Sequence, residues 1–269
     1  MAFRVGVMCL AYERIIDSFL EHNVPALRDA GVDVVTLVLD EDLPGQDFWR
    51  HMWRLATRQA RLVHCSRATA LVRLLAYREL TRPRGPGEQT PRAPFPPELA
   101  VARVPTLNAP AASEAIRAAR CDLVCLMGAR FLIKRTLTAI GVPIVNIHSS
   151  DPRFVRGGPV VIWEVLAGRP EIGLVVHEVT EVLDAGSILA QGAQPILYRG
   201  GLGATTAATM SAARPRVADL FEQVIRDFAA GSIKPVPFAP GPLKTTPRVR
   251  ETVRAELLCR QRSRTRAGA

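Results

Sequence analysis

Asn146, His148 and Asp184 are residues whose types and spacing could carry out acyl-transfer chemistry. Asn146 and His148 end the apolar run Val142–His148, which reads as a strand, and two residues apart they point to the same side of it. Polar side chains at the carboxyl end of a central strand lie where an open α/β sheet keeps its binding site. The run that follows, SSDPRFVRGG, is rich in turn formers and hydrogen-bond donors. Asp184 follows His148 by 36 residues, in the turn EVLDAGS between two strands. An amide, an imidazole and a carboxylate together can hold a reacting carbonyl, stabilise charge on its oxygen and relay a proton. The residues alone also allow a plainer reading, a hydrogen-bonded strand cap and an ordinary Asp-Ala-Gly turn.

The surrounding pattern supplies the elements that must position them. Phe3–Leu10 fits a buried strand, Glu13–Ala30 a helix and Val32–Asp40 a second strand, the opening of a right-handed βαβ unit. Asp47–Leu80 is arginine-rich and helical, with Trp49, Met52, Trp53 and Leu55 as one apolar set. Thr81–Pro97 holds six prolines and reads as a mobile surface loop. Regularity resumes with strands at Ala100–Val104 and Asp122–Gly128 and a helix at Ala111–Ala119 between them. Cys121 and Cys125, four apart, fall on one face of a strand and read as core. A helix at Ile133–Ile140, the strand ending at His148, a helix in Gly157–Ala167 and strands near Leu174–Val179 and Ile188–Ile196 follow. A long helix, Ala204–Ala230, is interrupted at Arg214–Pro215. The fold class is α/β, an open, mostly parallel twisted sheet with helices on both faces and a short C-terminal extension. Residues 1–200 form the main domain, with an inserted helical segment and Pro-rich loop at about 43–98, and 201–269 the extension.

Composition narrows the classes. With 269 residues, 48% hydrophobic and 22% charged, the chain is globular and long enough for a sizeable core. No apolar stretch reaches the 18 residues a membrane-spanning helix needs. The N-terminus reads as a strand, not a secretory signal. Five scattered cysteines give neither a disulfide framework nor a metal pair, so a reducing cytoplasm and no metal site are expected. The net charge of +10 rests on 35 basic residues, of which only Lys134, Lys234 and Lys244 are lysine, a ratio that suggests codon bias. Arg50, Arg54, Arg58 and Arg61 share one helical face, and seven more arginines lie between Arg248 and Arg266. Solvated faces and a frayed basic end account for these, and attraction of an anionic partner is the other reading. No zinc-finger or RNA-recognition signature accompanies them.

The segment VNIHSSDPRFVRGGPVVIWEVLAGRPEIGLVVHEVTEVLDAGSILAQ resembles the core of the folate-dependent formyltransferases. The matching points are Asn146, His148, Ser149–Ser150, Arg156–Gly157, Trp163, Gly168, Gly173, His177, Asp184 and Gly186. The likeness extends more weakly through CDLVCLMGARFLIK and VPTLNAP to the first strand, covering about residues 1–230 apart from the arginine-rich insertion. It implies a Rossmann-like fold and transfer of a formyl group from N10-formyltetrahydrofolate to an amine. In this chain Asn146 would hold the formyl oxygen, His148 would stabilise its developing charge, and Asp184 would orient His148 and help move the amine proton. Leu126, Met127, Phe131, Ile133, Thr180, Glu181 and Val182 would wall the pterin pocket, and Ser150, Arg156 and His177 would face the acceptor.

The chain also departs from the family pattern. Ser150–Asp151–Pro152–Arg153 stands where many members have Ser-Leu-Leu-Pro. MCLAYER replaces a phosphate-cradling Gly-Ser-Asn turn, and the tail is too short for a C-terminal RNA-binding barrel. The expected partner is therefore a small-molecule amine, an amino sugar or amino-acid-derived metabolite, with no tRNA-binding domain, no membrane contact and a possible homodimer. A formyltetrahydrofolate hydrolase, another one-carbon transfer and a non-catalytic basic binding module are the alternatives.

Overall fold

A computed structural model describes residues 2–41, 48–82 and 94–267. In chain order the elements are β1 (Phe3–Leu10), α1 (Ile15–Ser18), α2 (Val24–Asp29), β2 (Val32–Asp40), α3 (Phe48–Leu62), α4 (Arg67–Thr81), β3 (Ala100–Val104) and α5 (Pro110–Ala118). They continue with β4 (Leu123–Met127), α6 (Lys134–Ile140), β5 (Ile144–His148), β6 (Arg156–Gly157), α7 (Val160–Leu166), β7 (Glu171–Glu178) and β8 (Ile188–Pro195). The chain closes with α8 (Leu202–Ala229), β9 (Leu243–Lys244) and α9 (Val249–Ala267).

Seven strands form one sheet in the order β3-β2-β1-β4-β5-β7-β8. The first five pair in parallel, and β5–β7 and β7–β8 are antiparallel. β4 reads LVCLM and is buried along its whole length, as a parallel strand covered on both faces must be. Leu123, Cys125 and Met127 join the core that holds Phe221, Val224 and Ile225 of α8. Val124 and Leu126 face the other core, with Leu107, Ile116 and Ile140. The sheet therefore carries helices on both faces.

Several local expectations are corrected. The helix expected over 13–30 is broken by a π-helical turn at Phe19–Asn23, because Pro25 has no N–H to donate back to the preceding turn. α8, by contrast, runs unbroken through Pro215: Ala213, Val217, Ala218 and Phe221 make a continuous buried stripe whose packing outweighs one lost hydrogen bond. Cys121 and Cys125 lie in opposite cores, since Cys121 precedes β4 and follows the left-handed Arg120, where strand alternation does not apply. On α3 the buried set is Met52, Ala56 and Ala60 at a spacing of four, whereas Trp49 is 63% and Trp53 48% exposed. The basic end is not frayed; α9 is a helix with Ala255 and Cys259 fully buried. The Pro-rich loop falls largely on 83–93, outside the described residues. No helix among the described residues is long and apolar enough to cross a membrane.

Candidate active site

The topology changes direction at β5. Its inner neighbour β4 runs parallel to it and its outer neighbour β7 antiparallel, so the register pairs Asn146 with His177 and His148 with Val175. Asn146 Nδ2 lies 3.2 Å from His177 Nε2. His177 Nδ1 donates to the Glu178 carbonyl at 2.8 Å, which leaves Nε2 to accept from the amide. The turn after β7 brings back Asp184, 7% exposed and held at a φ of 47°, a conformation that Asp tolerates better than most residues. Its two oxygens lie 3.5 Å from His148 Nδ1 and 3.6 Å from His177 Nε2, and Oδ2 accepts from the Gly157 N–H at 2.9 Å. Gly157 has a φ of 75°, and a Cβ there would stand 2.5 Å from the Lys244 carbonyl, so a glycine is required where β6 meets β9.

His148 is fixed from its other nitrogen. Nε2 lies 3.0 Å from the Val155 carbonyl, a pure acceptor, so Nε2 carries the proton and Nδ1 faces Asp184 unprotonated. Burial pushes the His148 pKa down, against the opposing pull of the Asp184 carboxylate and the Val155 carbonyl. Burial acts to raise the Asp184 pKa, but the adjoining His177 and His148 rings and the Gly157 N–H together hold it below the usual carboxylate range. At neutral pH the pair is thus a neutral imidazole beside a carboxylate, a base whose protonated form is already provided for.

A cavity of about 230 Å³ opens onto this cluster, lined by Asn146, His148, His177 and Asp184, with Leu126, Leu132 and Val179 on its apolar side. Through Phe131, Gly157, Val182 and Leu183 it shares a wall with a larger chamber of about 530 Å³. That chamber is built from Leu55, Leu62 and Leu74 of the inserted helices and Leu243–Thr246 of the C-terminal segment. Of the residues expected around the pterin, Leu126, Phe131, Thr180 and Val182 line the inner cavity, and Glu181 lines the outer chamber. Met127 and Ile133 line neither: Met127 turns into the α8 core, and Ile133 caps α6 with its N–H on Asn108 Oδ1.

Ser150 also points away from both cavities. It is fully buried and hydrogen-bonded to Glu164, a carboxylate 1% exposed on α7, whose other oxygen lies 3.2 Å from Arg169 Nε. This pairing anchors the loop that leaves His148. An isolated acid in a helix reads as surface from sequence, and the spacing of Glu164 within the buried face of Val161, Ile162 and Val165 is the signal that marks it as buried.

Arg156 lines the outer chamber, and its Nε and Nη1 donate to the carbonyls of Gly241 and Leu183 at 2.8 and 3.0 Å. It thereby ties β6 to the Asp184 turn and to the C-terminal segment. Arg156→Lys keeps the charge but loses the planar fork. The expected result is a loss of about 1–3 kcal/mol in denaturant unfolding, from two charge-assisted hydrogen bonds. Unchanged stability would show that the fork is not what holds these segments.

A family model described as Formyl transferase matches residues 81–214. Methionyl-tRNA formyltransferase of Levilactobacillus brevis is 32% identical over 108 residues, 40% of this chain and 33% of the relative. The chain thus spans about a third of the length of that curated relative. Glycinamide ribonucleotide transformylase 1 from Symbiobacterium toebii superposes with a TM-score of 0.54 at 18% identity, over 87% of this chain and 94% of that one. HypX from Aquifex aeolicus, in complex with tetrahydrofolic acid, gives 0.54 at 14% identity over 96% of this chain and 34% of that one. One expectation is corrected by these findings. The partner was expected to be a small-molecule amine with tRNA set aside, yet the curated relatives matched are methionyl-tRNA formyltransferases, so that restriction does not stand.

Proposed function

The chain belongs to the formyl transferase family, and from that premise we propose that it transfers a formyl group from N10-formyltetrahydrofolate to a primary amine. The observation that carries the reading is the convergence of Asn146, His148, His177 and Asp184 on the inner cavity. The two cavities suit the donor. A flat heterocycle with polar edges fits the inner one, where apolar Leu126, Leu132 and Val179 stand beside polar groups. A benzoyl ring followed by carboxylates fits the outer chamber, where Phe131, Leu183 and Leu243 lie beside Arg156 and Lys244. When bound, the donor supplies an activated formyl carbon.

The protein's own groups then divide the work. The second N–H of the Asn146 amide donates to the formyl oxygen, while its first is held by His177. Attack by the amine concentrates charge on that oxygen, and a fixed amide donor in a buried site stabilises it without reorganising. His148 Nδ1 would take the proton that the amine sheds as its new C–N bond forms and return it to the departing N10 nitrogen as the old C–N bond breaks, and the imidazolium between the two transfers finds Asp184 at 3.5 Å. The Gly157 N–H keeps the carboxylate in place throughout.

Incubation with formyl-labelled donor and a panel of methionyl-tRNA, glycinamide ribonucleotide and amino-sugar nucleotides tests this directly. Label in an N-formyl product is expected for one of them, and formate release without any amine would favour hydrolysis. The pH dependence follows from the site. Activity should fall on the acid side with a midpoint below the 6.5 of an ordinary histidine, as His148 takes up a proton and ceases to be a base. Asp184→Asn should move that midpoint lower still, because the carboxylate that favours the imidazolium is gone. A midpoint at or above 6.5 would contradict this.

A further inference from the structure

The positive charge of this chain is not scattered. Residues 41–98 hold ten arginines against six acids, and residues 248–266 seven against two, so the two segments carry nine of the ten net positive charges. Codon bias would spread arginine evenly; here the rest of the chain is nearly neutral. The two segments also meet, since α4 packs against both α3 and α9.

On α3 the buried face is Met52, Ala56 and Ala60, which leaves Trp49 and Trp53 in solvent. Trp53, Arg54, Thr57, Arg58, Arg61 and Leu62 line a groove of about 410 Å³. Arg58 and Leu62 line the outer chamber too, so this groove adjoins the chamber beside the candidate active site. Among the described residues no carboxylate pairs with Arg58 or Arg61. An exposed indole among guanidinium groups along a groove, with a second exposed indole, Trp49, four residues before it on the helix, is what stacks unpaired bases and pairs with phosphates.

We infer that the outer face of α3 binds RNA, with an unpaired stretch lying in the Trp53–Leu62 groove and its end directed at the outer chamber. An anionic membrane fits this face less well. An amphipathic helix enters a bilayer on a continuous apolar face, and the apolar face of α3 is turned into the protein. Where RNA is also to carry the acceptor amine, the inference rests on the formyl-transfer reading; binding itself does not.

Fluorescence anisotropy of the full chain with a labelled single-stranded RNA 12-mer tests it, with a blunt RNA duplex and phosphatidylserine vesicles as comparators. The wild type should bind the single strand in a salt-dependent way and more tightly than the duplex, with quenching of tryptophan fluorescence. Trp49→Ala/Trp53→Ala/Arg61→Gln should weaken binding at least ~10-fold, and loss of one phosphate contact should lower the salt slope by about 0.7. All three side chains are exposed, so tetrahydrofolate affinity and melting temperature should not change. Equal RNA binding by variant and wild type, equal binding of duplex and single strand, or binding of vesicles alone would each overturn the inference. Failure of tetrahydrofolate to bind the wild type would instead count against the formyl-transfer reading and leave the RNA surface standing.

Discussion

Replacing His148 with asparagine is expected to lower formyl transfer by roughly 10²–10³-fold while leaving tetrahydrofolate affinity near that of the wild type. His148 Nδ1 is the nitrogen free to accept a proton, because Nε2 is committed to the Val155 carbonyl. Asparagine can keep a donor near Val155 but offers no base. Asp184→Asn should cost a similar factor for a different reason, since it removes the charge that stabilises the imidazolium and weakens the acceptor for Gly157 N–H. Both effects belong to charge that appears during the reaction, so the turnover number should fall and the donor dissociation constant should stay. Wild-type turnover by a folded His148→Asn protein would remove His148 from the reaction.

Gly186→Ala is expected to have the largest effect of any single methyl group added near the site. A Cβ at 186 would stand 2.0 Å from the Glu178 carbonyl oxygen and 2.7 Å from its carbon, both backbone atoms of β7 that cannot swing aside. The same carbonyl accepts from His177 Nδ1, and the turn that must shift carries Asp184. Overpacking of this kind costs about 1–3 kcal/mol even where neighbours relax. Here relaxation would also pull Asp184 from between the two histidines. Urea unfolding should register the lost stability, and activity should fall by more than the folded fraction explains. A variant with wild-type stability and turnover would show that the turn has room to move.

The parallel half of the sheet was legible because β4 is a continuous apolar run and β1 and β2 are mostly apolar, with glycine or polar residues between the strands. Asn146 and His148 could be placed together because a strand's period of two is rigid, and Asp184 because its turn closes the β7–β8 hairpin. Other features lay beyond local pattern. Trp49 and Trp53 have the spacing of a core face, and only the packing of α3 on α4 decides that Ala56 and Ala60 go inside. The C-terminal arginines looked like a loose end because the burial of Ala255 and Cys259 depends on α7, α4 and α8, distant in sequence. Ser150 has the chemistry of a site residue, and nothing near it in the chain reveals that Glu164 holds it inward.

The most direct test uses N10-formyltetrahydrofolate labelled with ¹³C at the formyl carbon, observed by NMR bound to the protein. One donor is expected to bind per chain, with a formyl resonance displaced from its free position by the hydrogen bond from Asn146. In Asn146→Ala the donor should still bind and that displacement should be lost. A labelled donor that does not bind the wild type, or a bound resonance identical in wild type and Asn146→Ala, would contradict this.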